Sequence, residues 1–493
     1  MILTRLRILV GVLVTLSCLQ TEAMPVYPLW SEPYQPVPAG TSESIWNDWT
    51  AIEPALELST KPDRSWRSIW VRLFPILSAP LGDPYPETQN INYVSLVNPK
   101  GFKVFALANE SLLGHATSVQ FDFHAGKMVL GNQVMALQPV WIVPATSELS
   151  LAHWDKGNRN SHGKNLEVRV RLRGGFIVKP TTFAPRGSPP RPPQAVLLWS
   201  LINVVNVNDY LRSVVPSEVI AGWHPETLRA QAIAARTYGL FEVITSRNQG
   251  LDFDVDPTTW YQSYQGVQFW QRDQGAWRSI ELKATNAAVS ATGGNVIIHN
   301  GEVIKAYFSA NSGGHSCLAT ECLENEPINP PYIHEIKDHP SVKSAPGGTW
   351  GRRSNLTAAA IKSRLKDFGF SFEGTVAKLE PAERGPSGRT WRLRLRMTDG
   401  RTIELDRFLT RKVMHLFGPI RSYLYELGSV GKDGRQKIVG HGYGHGVGMS
   451  QWGAQLYAKQ GWSAAKILAH FYRGVAIKDL SAGRFVEEEL TAN

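Results

Sequence analysis

Glycine occupies every second position from Gly440 to Gly448 in the stretch "GHGYGHGVGMSQWGAQLYAKQGW". Such spacing removes side-chain bulk from one side of the backbone, and few local structures tolerate it. A phosphate cradle would want a strand, a glycine turn and a following Gly-Lys-Ser/Thr, and no lysine follows here. His441 and His445 lack a local third ligand for a metal. What remains is a strand-like glycine loop that enters a helix at Ser450. It either lets a bulky polymer approach the backbone, with His445 and Gln451 as polar contacts, or packs tightly as a turn.

The 493 residues are 43% hydrophobic and 19% charged, a balance that supports two or three domains with real cores and excludes large-scale disorder. Arg5 and Arg7 precede the apolar run 8–19, which is too short to span a bilayer comfortably. Residues 1–23 therefore read as a secretory signal cleaved after Ala23, with an uncleaved anchor as the alternative. No later segment is long and apolar enough for a membrane span. The protein is expected to be secreted or periplasmic and associated with the cell envelope. The formal net charge of +10 suits a polyanionic surface, and losing Arg5, Arg7 and Glu22 lowers it by only one. A nucleic-acid partner is not expected: no basic helix, zinc finger or aromatic RNA motif is present.

Short apolar runs alternate with turns from about 65 to 180, and "EVRVRLR" (167–173) alternates strictly, so residues 24–182 read as a mainly β region. Residues 183–195 are proline-rich and form a linker or surface loop. Leu197–Val207 is strand-like. Pro225 at a first turn and the recurrence of Leu228, Ala232, Ala235 and Tyr238 predict a helix over 225–243. Hairpins are expected around Asn300-Gly301 and Asp399-Gly400. Two short helices, 450–460 and 463–472, should meet at Gly461. The fold class is α+β: a β-rich region, then a mixed domain (196–475) with a few helices packed on antiparallel strands, and a tail from 476 to 493.

Glu218 in "VVPSEV" precedes the predicted helix. Beside Val219, Ile220 and Trp223 its carboxyl would be partly desolvated, and its pKa would rise toward that of a general acid at neutral pH. Cys317 and Cys322 admit a local disulfide, free thiols or two metal ligands; an oxidising compartment favours the disulfide.

"NDYLRSVVPSEVIAGWHPETLRAQAIAARTYGL" and the glycine-rich stretch resemble the two signature ends of the SpoIID/LytB family. "DPTTWYQSYQG" (256–266) and "YFSANSGGHS" (307–316) resemble its intervening motifs, in the same order. The resemblance implies peptidoglycan glycan strands as partner and a lytic transglycosylase activity with Glu218 as the catalytic acid. That chemistry requires no cofactor. The LytB side implies an alternative, a glycan-binding enhancer of a cell-wall amidase. Gln262, Tyr264, Ser309, Ser312, Gly313, Gly314, His445 and Gln451 are the candidate substrate-binding residues. The family also raises zinc held by His315, Cys317 and Cys322. Departures are His441, where the family more often has another polar or basic residue, and the spans 183–195 and 320–350, which read as local elaborations.

Overall fold

The computed structural model describes residues 60–62, 67–76, 93–159, 165–183, 196–258, 261–271, 274–323, 326–353, 358–366, 368–414, 420–480 and 484–486. The expected signal segment, nearly all of the lead-in, the proline-rich stretch after Phe183 and the end of the tail lie outside them.

The alternating runs form one large antiparallel sheet. Its strands are β1 (Ser68–Ile76), β2 (Tyr93–Ala106), β3 (Leu112–Asp122), β4 (Lys127–Leu130), β5 (Gln133–Ala136), β6 (Val140–Pro144), β7 (Ser150–Arg159), β8 (Asn165–Leu172), β9 (Gly175–Phe183), β10 (Val196–Asn206), β11 (Gln268–Gln271) and β12 (Ala276–Ser279). The path runs β1-β10-β9-β6-β2-β7-β8-β11-β12, and β3 to β5 branch off as a meander from β2. The register of β2 slips between Val97 and Phe102, where Gly101 has φ +90°, and this splits its partners: β7 pairs with 94–97 and β6 with 102–106. Such a bulge bends a strand and curls its sheet. The central strands are buried on both faces. Val71, Leu96, Val104, Phe176 and Leu201 join the main core, while Trp70, Phe105, Trp141, Ile177 and Ile202 form a smaller core on the opposite face. Because β10 pairs with both β1 and β9, the strands that precede and follow residues 184–195 belong to one sheet.

β10 runs straight into helix α1 (Val207–Glu218), capped by the Asn206 side chain, which accepts from the Asn208 N–H at 2.8 Å. Pro216 lies in the last turn, and Ser217 returns its hydroxyl to the Ser213 carbonyl at 2.8 Å. Helix α2 (Pro225–Asn248) starts with proline at its first position, as the sequence suggests, and runs five residues past the expected end. Its small residues have a plain reason. Leu228, Ala232 and Ala235 face the main core, while Ala230, Ile233 and Ala234 face a second one built with Ile304, Tyr332, Met449, Ile467 and Phe471. Buried Arg236 ties α2 to Asn208 of α1, to the Val289 carbonyl of α3 (Lys283–Ala291) and to the Asn295 carbonyl.

Both hairpins form. Strands Asn295–His299 and Glu302–Val303 turn at Asn300 (φ +50°) and Gly301 (φ +83°), and Thr390–Met397 pairs with Thr402–Glu404 around Gly400 (φ +86°). Residues Ala476–Asp479 pair with Asn295–His299, so the chain re-enters the body just where the tail was expected to begin. The short helix α4 (Ala319–Cys322) follows the Ser-Gly-Gly stretch. A separate unit then intervenes: α5 (Ala358–Lys366), α6 (Arg407–Met414) and two three-stranded sheets pack around Leu365, Leu393, Leu395, Val413, Tyr425 and Ile438. Helices α7 (Gln451–Lys459) and α8 (Ala464–Phe471) close the body, capped by Ser450 and Ser463. The whole is α+β, as read from the sequence.

Candidate active site

Glu218 is the last residue of α1, and the residue as a whole is partly exposed. Burial pushes its carboxyl above the ordinary value. Two hydrogen bonds oppose that shift: the Ser263 N–H at 2.9 Å and the Gln451 side chain. The carbonyl end of α1 acts in the same direction as burial, since a helix C-terminus disfavours negative charge. The result is a carboxyl that is desolvated and hydrogen-bonded, in a residue that keeps partial exposure.

Three segments meet there. The first is the α1–α2 turn, which carries Trp223. The second is the loop 256–266, whose Ser263 amide points at Glu218. The third is the start of α7, where Gln451 is followed by Trp452. The Trp223 and Trp452 rings meet edge to face at 4.8 Å, and both remain partly exposed. The Gln455 side chain locks α7 to this turn by accepting from the His224 N–H (2.9 Å) and the Thr227 hydroxyl (2.8 Å).

The loop 256–266 is held from inside. Gln262 is fully buried, accepting from the Tyr210 hydroxyl at 3.2 Å and donating to the Ala235 carbonyl at 3.1 Å. Tyr264 stacks on Tyr210 and donates to Asn203 at 2.7 Å. Neither side chain lines an open groove, contrary to expectation; they seat the backbone so that Ser263 between them faces outward. The sequence reading picked the inward residues on either side of the one that touches Glu218.

The glycine run is also corrected. Gly442, Gly444, Gly446 and Gly448 all have positive φ, from +69° to +94°, so the loop is not strand-like. A Cβ on Gly448 would collide with the Tyr307 carbonyl, and one on Gly446 with the Arg389 guanidinium. The absent side chains make room for protein rather than for a polymer. Ser309 accepts from the Gly446 N–H at 3.2 Å, and Ser312 donates to Asp338 at 2.5 Å. Gly313 backs onto His441 and Gly442, and Gly314 onto Lys343. His445 accepts from the Val447 N–H at 3.0 Å and bonds the Phe308 backbone; burial, then the nearby Arg389 charge, pushes its pKa down to about 4. Its ring is therefore neutral and is braced by backbone groups, while the residue itself stays partly exposed. Ser309, Ser312, Gly313, Gly314 and His445 form a scaffold that delivers Ser450 and Gln451. Of the expected substrate contacts, only Gln451 stands beside Glu218.

Arg389, which sequence reading missed, joins the intervening unit to this scaffold. Almost fully buried, it donates to the carbonyls of Ser312 (2.9 Å) and His315 (3.1 Å), and burial lowers its pKa to about 10. Only its place next to glycine-rich partners, distant in sequence, makes it notable.

Cys317 and Cys322 are joined in a disulfide. Their near neighbour with a ligand atom is Glu321, whereas His315 stands outside the group. Sulfurs bonded to one another are not available as thiolates, so the His-Cys-Cys zinc set does not fit this arrangement.

The comparisons with known proteins cover the same segments. A family model described as stage II sporulation protein matches residues 198–299, which hold Glu218 and Ser263. A second, described only as a domain of unknown function, matches residues 349–448, from the intervening unit through the glycine run. An uncharacterized protein of Brachyspira hyodysenteriae is 31% identical over 281 residues, covering 57% of this chain and 68% of that one. Stage II sporulation protein D of Bacillus subtilis is 28% identical over 284 residues, 56% of this chain and 76% of that one. The amidase enhancer of Bacillus subtilis is 27% identical over 304 residues, 54% of this chain and 40% of that one. The matched segments include the α1–α2 turn that presents Glu218, and the chain belongs to the SpoIID family.

Proposed function

We propose that this protein acts on the peptidoglycan of a cell envelope as a lytic transglycosylase, with Glu218 as its acid and base. The observation that carries the reading is the carboxyl of Glu218: raised by burial and held by Ser263 and Gln451, in a residue that stays partly exposed. A carboxyl whose pKa is raised by burial gives up its proton less readily to water than an ordinary glutamate, which suits protonation of a departing sugar oxygen.

In the reaction, Glu218 protonates the oxygen between MurNAc and GlcNAc, and the MurNAc C1–O bond breaks. The C6 hydroxyl of the same MurNAc attacks C1 and passes its proton to the Glu218 carboxylate. The products are a 1,6-anhydro-MurNAc end and a GlcNAc 4-hydroxyl, and the acid is regenerated. The nucleophile is already attached, so its effective concentration is high and no second carboxylate is needed to activate water. The Trp223–Trp452 pair supplies ring faces against which sugar C–H groups pack, and peptide-stripped strands suit a site framed by two indoles.

The test is to incubate the protein and its Glu218→Gln form with purified peptide-stripped glycan strands and weigh the products by mass spectrometry. Anhydro-ended fragments from the native protein alone support the reading. Intact strands from both, with strand binding retained, favour the second reading, to which the likeness to an amidase enhancer lends support: a glycan-binding protein that stimulates an amidase.

A further inference from the structure

The end of the large sheet carries a surface that the proposed chemistry does not use. β11 pairs with β8, and β12 pairs with β11 as the last strand of the sheet among the described residues. In this register Trp270 stands directly opposite Trp277, and Gln268 opposite Arg171. Directly opposed residues share a face, and residues two apart on a strand share it too. Arg169, Arg171, Gln268, Trp270 and Trp277 therefore lie on one face. Val170 and Leu172, on the other face, belong to the main core. The tryptophans are thus on the outer side of the sheet, and both are partly exposed.

The face is organised rather than merely apolar. The two indoles meet edge to face at 5.6 Å. The Arg171 guanidinium lies 4.3 Å from the Trp277 ring centre and donates to Gln268 at 2.8 Å; Arg169 lies 6.0 Å from Trp270. Rings and cations thus alternate across three strands. Arg171 is fixed by a ring and an amide, so its charge is positioned without being neutralised by a carboxylate among the described residues. Aromatic faces pack on sugar C–H surfaces, and positioned guanidinium groups take carboxylates. Gly266, at the end of the loop that holds Glu218, packs against Val170 and Leu172, only two residues before β11.

We propose that the outer face of β8, β11 and β12 is a second glycan-binding surface, selective for strands that carry carboxylates on their sugars. It takes the class of polymer from the reading above, but its binding role is separate from cleavage. A strand held there is anchored one loop away from Glu218. An aromatic and cationic sheet edge also suits a protein partner, but Arg171, fixed beside the paired indoles, favours the acidic sugar.

The experiment uses the full chain as Glu218→Gln, so that strands are not consumed, and measures anisotropy of fluorescent peptide-stripped glycan strands. Trp270→Ala with Trp277→Ala is expected to weaken binding about tenfold, and Arg171→Gln to weaken it and flatten its salt dependence. Strands whose carboxyls have been reduced to alcohols are expected to bind the unaltered face about as weakly as native strands bind the arginine variant. This last arm changes only the probe, so misfolding of a variant does not affect it. Equal binding of native and reduced strands overturns the proposal. So does strand binding that survives in the tryptophan variant while its capture of a cell-wall amidase is lost. Failure of the catalytic reading is distinguishable: it shows as absent anhydro products on short oligosaccharides, whatever the hairpin variants do.

Discussion

Glu218 illustrates how a single carboxyl couples site and stability. Its folded pKa lies above the ordinary value because of burial, so ionising it costs the folded state more than the unfolded one. Below about pH 4.3, the usual glutamate range, the group is protonated in both states and Glu218→Gln changes little. Near pH 7 the unfolded chain ionises freely, and the amide escapes the cost. Glu218→Gln is therefore expected to melt above the native protein at pH 7, with the gap closing as pH falls through 5 to 4; thermal scans across that range check it. A variant that melts lower at pH 7 would mean that the charged form is the stabilised one. At this scale the sequence was partly legible. Val219 and Trp223 beside Glu218 signalled desolvation, but backbone contacts carry no residue signature, so Ser263 was passed over for Gln262 and Tyr264. The bracing of His445 was likewise hidden, because both partners of its ring are backbone groups.

Among elements, turn chemistry was the most readable. Asn300-Gly301, Asp399-Gly400, Ser450 and Ser463 mark their hairpins and caps because the required dihedrals and cap acceptors suit few residue types. Helix α1 was not foreseen: Pro216 argues against a helix, yet proline in this last turn is accommodated by Ser217 bonding back to Ser213. The glycine run was misread as strand-like because its alternation resembles a strand's period, while its φ values belong to a left-handed loop. Two glycines separate the causes. Gly461 has φ +87° with open space around it, whereas Gly448 (φ +69°) has the Tyr307 carbonyl where a Cβ would go. Gly461→Ala should cost about 1–2 kcal/mol by conformation alone. Gly448→Ala should cost markedly more and displace Gln451, seen as a lower urea midpoint together with weaker glycan binding. Equal costs would show that packing against Tyr307 does not matter.

Across the molecule, long-range arrangement was the part hidden from sequence. Helical spacing predicted α2, but not that it separates two cores and so needs alanine on both sides. Nor did local patterning reveal that the unit around Leu393 and Tyr425 reaches the scaffold through Arg389, since the Ser312 and His315 carbonyls it satisfies lie more than seventy residues away. Arg389→Met leaves both carbonyls without that donor and should destabilise by about 2–4 kcal/mol in urea unfolding. It should also weaken glycan binding, because Gly446 and Ser312 lose a shared anchor. Unchanged stability would mean that the links from Ser387, Arg407 and Arg411 to residues 320–323 hold the unit without Arg389.

The most direct measurement is the titration of Glu218 itself. Carbon-13 labelling of glutamate side-chain carboxyls, with Glu218→Gln to assign the resonance, gives its midpoint by NMR. The account predicts a midpoint above the ordinary glutamate range, with Gln451→Leu moving it further up by removing a donor to the charged form. A midpoint at or below that range would contradict the claim that Glu218 is held as an acid.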